Sequence, residues 1–146
     1  MESQGGFLIS QIKQIQGRIF ERLLLQSGIE EFNGAQGRIL YVLWQQDALP
    51  IVELARRTGL AKTTLTSMLD RMESQGHICR QSDKSDRRQI RILLTDWAKS
   101  LSETYRKVSD QMSDIFYSGL SDEQIARFEE TLKHILDNLI KKEKSL

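Results

Sequence analysis

The 146 residues are 39% hydrophobic and 28% charged, a balance that suits one compact domain with helical extensions better than two independent domains. No apolar run reaches the roughly 20 residues a bilayer span needs, and the opening MESQGGFLISQIKQ lacks the charged start, apolar core and small-residue cleavage site of a secretory leader. A soluble cytoplasmic chain with no membrane partner is expected. The single cysteine, Cys79, leaves no internal disulfide, and two separated histidines, His77 and His134, give little basis for a metal site, so no metal and no cofactor are expected.

The net charge of +1 is unevenly spread. Between Ile51 and Thr95, nine basic residues (Arg56, Arg57, Lys62, Arg71, Arg80, Lys84, Arg87, Arg88, Arg91) stand against five acidic ones (Glu53, Asp70, Glu73, Asp83, Asp86), a local excess of +4. A basic middle between acidic flanks is either a field for a polyanion or ordinary scatter over a solvated surface.

In chain order, Leu8, Ile12, Ile15, Ile19 and Leu23, widened by Phe20 and Leu24, predict an amphipathic helix over about 6–26, stopped at Ser27-Gly28. Asn33 with Gln36 three positions on resembles a capping box for a second helix carrying Ile39, Leu40, Val42, Leu43 and Trp44 to about Gln46. Pro50 suits the first turn of a short third helix, where a missing N–H costs nothing. Residues 51–76 read as two helices about a tight turn, IVELARRT, then GLA with Gly59 turning, then KTTLTSMLDRMESQ. In the second of these, Leu65, Met68, Leu69 and Met72 share one face and short polar or basic residues the other.

After Gly76 the period changes to two, and His77–Ser82 can pair with Gln89–Leu94 as an antiparallel hairpin whose tip, DKSDRR, holds no apolar residue and must project outward. Thr95 is placed to cap a helix with Trp97, Leu101, Tyr105, Val108, Met112, Ile115 and Phe116 on its stripe. Gly119 ends it, and Ser121 with Gln124 opens a last helix bearing Ile125, Phe128, Leu132, Ile135 and Leu139. The stripes of the first and the last two helices are too wide for the small middle to cover, which predicts a twofold homodimer built from both chain ends.

A helix that reads the major groove of double-stranded DNA needs a supporting helix, a tight turn and short polar side chains toward its N-terminus. Lys62, Thr63, Thr64, Thr66, Ser67 and Arg71 are the candidates; a hydroxyl-rich solvated face is the other reading of the same residues. The wing shifts the balance toward the first, although a charged tip can also serve solubility alone. Asp86, Arg88, Leu94 and Thr95 stand in the spacing D-x-R-x5-L-T, joined by Asn33-x-x-Gln36 before Ile39-Leu40, Glu53-Leu54-Ala55, and Gly76-His77-Ile78-x-Arg80. In this order they resemble the MarR (multiple antibiotic resistance regulator) family over nearly the whole chain.

The resemblance implies a mainly α fold: a winged helix-turn-helix lobe over about 33–95 with a two-stranded β-wing, plus dimerisation helices over about 6–26 and 96–144, in one domain spanning 1–146. It implies a DNA-binding transcription regulator, expected to be a ligand-responsive repressor on a pseudo-palindromic operator, with Arg88 reaching the minor groove and Asp86 orienting it. Lys84 and Arg87 read as phosphate partners. A small amphipathic or phenolic effector is expected by resemblance, and Phe20, Tyr41 and Trp44 could line its pocket or be core.

Two departures are visible. Ala98 stands where the family often has glycine, which firms the start of the helix after the wing. The cysteine with which some relatives sense peroxides lies in the first helix, where this chain has none, so Cys79 on a wing strand reads as inert. No glycine-rich phosphate loop, nucleophile-base pair or metal cluster suggests an enzyme. The remaining alternative is a winged-helix protein-interaction or architectural DNA-binding module without small-molecule control, against which the arginine wing weighs.

Overall fold

The computed structural model describes residues 2–29 and 34–146; Asn33, the expected capping residue of the second helix, lies outside them. The elements run α1 (Gly5–Gln26), α2 (Gly34–Gln45), β1 (Leu49–Pro50), α3 (Ile51–Thr58), α4 (Lys62–Ser74), β2 (Ile78–Ser82), β3 (Ile90–Leu94), α5 (Asp96–Ser100), α6 (Ser102–Phe116) and α7 (Asp122–Ser145). Two compact units are distinguished, one running to Asp110 and the other comprising Gln111–Leu146.

In the first unit, Ile39, Leu40 and Leu43 of α2, Leu54 of α3, Leu65, Leu69 and Met72 of α4 and Ile92 of β3 form a buried core. Each such side chain gains about 1.5–3 kcal/mol on leaving water. Gly37 brings α2 close to α6, since a Cβ there would lie 2.6 Å from the Tyr105 hydroxyl. His77, for which the sequence suggested no role, is buried with its ring stacked on Trp97 at 4.7 Å.

The winged helix-turn-helix and its two-stranded wing, β2 and β3, are present, and the short β1 adds a third antiparallel strand to the sheet, in the order β1-β3-β2. Leu49 pairs with Ile92 and Pro50 with Arg91 on one side of β3, and Ile78 pairs with Leu94 and Ser82 with Ile90 on the other. The added strand follows from a knot at its start. Asp47 Oδ1 accepts the N–H groups of both Ala48 and Leu94 at 2.9 Å, and Ala48 takes φ 58°, turning Leu49 into the core. Pro50 sits one position earlier than expected: it closes an edge strand, where its missing N–H is tolerated, and its extended backbone caps α3.

The helix expected after Thr95 is interrupted once. Thr95 caps it as predicted, its hydroxyl oxygen accepting from the Ala98 N–H at 3.2 Å. At Leu101, whose N–H turns to the Ala98 carbonyl, α5 gives way to α6, while the Ser100 hydroxyl donates to the Trp97 carbonyl.

In the second unit, Gly119 at φ 85° follows α6, and Ser121 and Gln124 form the expected reciprocal capping box at the start of α7. The Tyr117 hydroxyl donates to Glu129 at 2.6 Å, and the rings of Phe116, Tyr117 and Phe128 cluster beside it. No residue of the 24-residue α7 is buried.

Candidate nucleic-acid interface

The turn between α3 and α4 is built locally. Gly59 adopts φ 72°, a left-handed conformation that side chains resist, and its N–H donates to the Ala55 carbonyl. The buried Thr58 hydroxyl donates to the Leu54 carbonyl at 2.8 Å and accepts the Leu60 N–H at 3.3 Å. Ahead of the turn, Glu53 binds Arg56 and Arg57 on the same helix, and these two guanidiniums, Arg56 foremost, lower its carboxyl to about 2.

Beyond the turn, Leu65, Leu69 and Met72 bury one face of α4, while Lys62, Thr63, Thr64, Thr66, Ser67 and Arg71 are all exposed on the other. Ala61 precedes α4 without a side-chain cap, so the first-turn N–H groups of this helix receive no capping bond from it. The Thr66 hydroxyl donates to the Lys62 carbonyl at 2.8 Å, which leaves its lone pairs and methyl group to a partner.

The wing carries the remaining cations. Arg88 is 92% exposed, yet its Nε lies 3.2 Å from Asp86 Oδ1, and the same oxygen accepts the Arg88 N–H at 3.1 Å. At the base of the turn Asp83 is nearly enclosed. Its Oδ1 accepts from the Ser85 N–H and hydroxyl, its Oδ2 accepts from Arg91 Nε at 2.6 Å, and these bonds depress its carboxyl far below the usual range. Arg91 also donates to the Ala48 carbonyl at 2.7 Å.

Arg80 on β2 joins wing to helix through Asp70 and Glu73 of α4, each at 2.8 Å. Arg80 stands in the Gly76-His77-Ile78-x-Arg80 run without a task legible there, because its acidic partners lie seven and ten positions away with no local signal joining them. The charge balance of the middle thereby acquires a structure. All five carboxylates of 51–95 are held by Arg56, Arg57, Arg80, Arg88 or Arg91. Among the described residues Lys62, Arg71, Lys84 and Arg87 pair with no carboxylate, and all four are exposed.

Of the aromatic candidates, Phe20 and Trp44 are brought together on Tyr105, at ring distances of 5.4 and 4.9 Å, and Trp44 Nε1 donates to the Ala98 carbonyl at 3.0 Å. Tyr41 is half exposed and is not among the rings on Tyr105. Cys79 is an exposed free thiol on β2. Among the described residues there is no cluster of metal-ligating side chains, and no helix is long and apolar enough to cross a membrane.

A supporting helix, a left-handed glycine turn, an exposed polar helix and a cationic β-wing define a winged helix-turn-helix protein of the transcription-regulator class. Residues 32–90 match the MarR family profile. The chain is 33% identical over 101 residues, 68% of either chain, to the HTH-type transcriptional regulator YsmB of Bacillus subtilis (strain 168). It is 35% identical over 101 residues to the HTH-type transcriptional regulator TtmR of Methylorubrum extorquens (strain PA1), a match spanning 69% of this chain and half of that protein. It is also similar to a cysteine-to-serine mutant of MarR from E. coli solved with operator DNA, at 25% identity and a TM-score of 0.80, covering 90% of this chain and 92% of that one. The chain belongs to the MarR family.

Proposed function

We propose that this chain is a homodimeric, sequence-specific regulator of transcription that binds a pseudo-palindromic site on double-stranded DNA and represses by occupying it. The observation that carries this reading is the placement of the uncompensated charge: Lys62 and Arg71 on α4, Lys84 and Arg87 on the wing, beside a face of exposed threonine and serine hydroxyls. In this reading Lys62, Thr63, Thr64, Thr66, Ser67 and Arg71 face a major groove, Lys84 and Arg87 meet phosphates, and Arg88, oriented by Asp86, enters a neighbouring minor groove. The similar E. coli protein, solved with operator DNA, supports DNA as the partner.

The dimer follows from apolar surface left open on a single chain. Leu8, Ile12 and Ile15 of α1 and Ile135, Leu136, Leu139 and Ile140 of α7 are exposed, and a 24-residue helix with no buried residue needs a partner face to be stable. Two copies would present two α4 helices about one DNA turn apart. The whole 146-residue chain acts as one cytoplasmic unit without catalysis, and a small amphipathic or phenolic effector bound near Phe20, Tyr41 and Trp44 would shift the spacing of the two α4 helices by its differential affinity for two states.

Selection of duplexes from a random DNA pool, repeated at several salt concentrations, tests the reading. A pseudo-palindromic consensus with a steep fall of affinity in salt is expected; weak, sequence-blind binding would refute it in favour of an architectural module.

A further inference from the structure

Arg91 counts toward the basic excess of the middle segment, but its guanidinium is committed to partners within the lobe. It spans from Asp83 at the base of the wing turn to the carbonyl of Ala48, which precedes β1 and α3. We propose that Asp83 and Arg91 are positioning residues for DNA binding: they set the turn 83–89, and Arg88 with it, against the helix-turn-helix without touching DNA themselves. The proposal rests on the DNA-binding reading given above.

Three observations support it. First, Asp83 organises the turn that bears the exposed cations. Its carboxylate takes both donors of Ser85, and its N–H donates to the Gln89 carbonyl at 2.9 Å, so both ends of the segment holding Lys84, Arg87 and Arg88 converge on this residue. Second, Asp83 is built in, with its side chain only 9% exposed against 92% for Arg88. The two carboxylate oxygens have separate tasks, one for Ser85 and one for Arg91. Third, the far end of the brace is a fixed point. Ala48 is held at φ 58° with its N–H on Asp47, and β1 passes directly from it into α3. The path from turn to helix-turn-helix thus runs through side-chain bonds as well as through the β2–β3 ladder.

The charge of Asp83 makes the test sharp, because removing a carboxylate near a polyanion strengthens binding if charge alone matters. Positioning requires the opposite sign. In D83N one of the two tasks meets an amide NH2 in place of an acceptor. On the selected duplex, D83N is expected to bind roughly tenfold more weakly than wild type, because a misplaced contact is lost, and to lose the protection that the wing gives the minor groove in hydroxyl-radical footprinting. Its effect should shrink in an R88A background, where one of the positioned cations is gone. Binding by D83N as tight as wild type or tighter, or an effect that adds to that of R88A, overturns the proposal. Should D83N fail to melt cooperatively, R91K takes its place: it keeps the charge but not the two-armed reach, so the same loss is expected, and wild-type affinity refutes the brace. Wild-type protein without a preferred duplex sinks the DNA reading; loss in R88A with D83N unaffected sinks the brace alone.

Discussion

Arg80 Nη2, on the first strand of the wing hairpin, stands 2.8 Å from Oδ1 of Asp70, ten positions earlier on α4, the helix proposed to face the major groove. Its Nη1 meets Glu73 at the same distance, and its N–H also turns to Glu73. Helix α4 carries Lys62 and Arg71 but also these two carboxylates, so by itself it offers DNA no net positive charge. The wing supplies the cation that compensates them and, through the same bonds, sets the helix against β2.

Arg80→Ala should therefore weaken binding to the selected duplex about tenfold, the effect of one lost charge-assisted contact. Adding Asp70→Asn and Glu73→Gln to that variant should restore most of the affinity, measured by fluorescence anisotropy at one salt concentration. If the triple variant stays as weak as Arg80→Ala, charge compensation is not what Arg80 contributes.

Gly37→Ala tests the close approach of α2 and α6. The added methyl meets the Tyr105 hydroxyl at 2.6 Å, and overpacking of this kind costs about 1–3 kcal/mol. The loss, read from urea midpoints, should shrink when Tyr105→Phe removes the hydroxyl. Equal midpoints for Gly37→Ala and wild type would mean that the contact is not tight.

Glu53 predicts a pH dependence for α3. Its folded-state value of about 2 lies below the ordinary 4.5 because Arg56 and then Arg57 bond the carboxylate. The stabilisation is therefore present above 4.5 and lost as pH falls toward 2. The difference in melting temperature between wild type and Glu53→Gln should be largest above pH 4.5 and close as the pH falls through this window. Because the pair is solvent-exposed, added salt should also reduce it. A difference that does not change with pH would rule out the carboxylate as its source.

Leu136 and Leu139 on α7 are 55% and 62% exposed in the single chain. Replacing both with Asp should leave the secondary structure of the helix-turn-helix lobe intact and convert the dimer to a monomer in sedimentation, with loss of tight binding to the palindrome. A dimer of undiminished affinity would place the subunit contact elsewhere.

The helix-turn-helix was legible from the sequence almost to the residue, because its signals are local. Apolar spacing marks the buried face of α4, Gly59 must take a left-handed turn between two helical runs, and Thr95 and Ser121 cap the helices that follow them. The exposed cations of the wing were legible too, since a tip without apolar residues has no core to enter. Tertiary structure decided what joins these parts. The strand Leu49–Pro50 exists because it pairs with β3, some 40 positions later; two residues carry no periodicity of their own. Arg80 and Arg91 look in sequence like Lys84 and Arg87, and only folding separates cations that meet a carboxylate from those left to face a partner. The basic middle that first suggested a polyanion thus resolves into four exposed charges without a carboxylate partner and a set of ion pairs, because ion pairing depends on distance in space and not on distance along the chain.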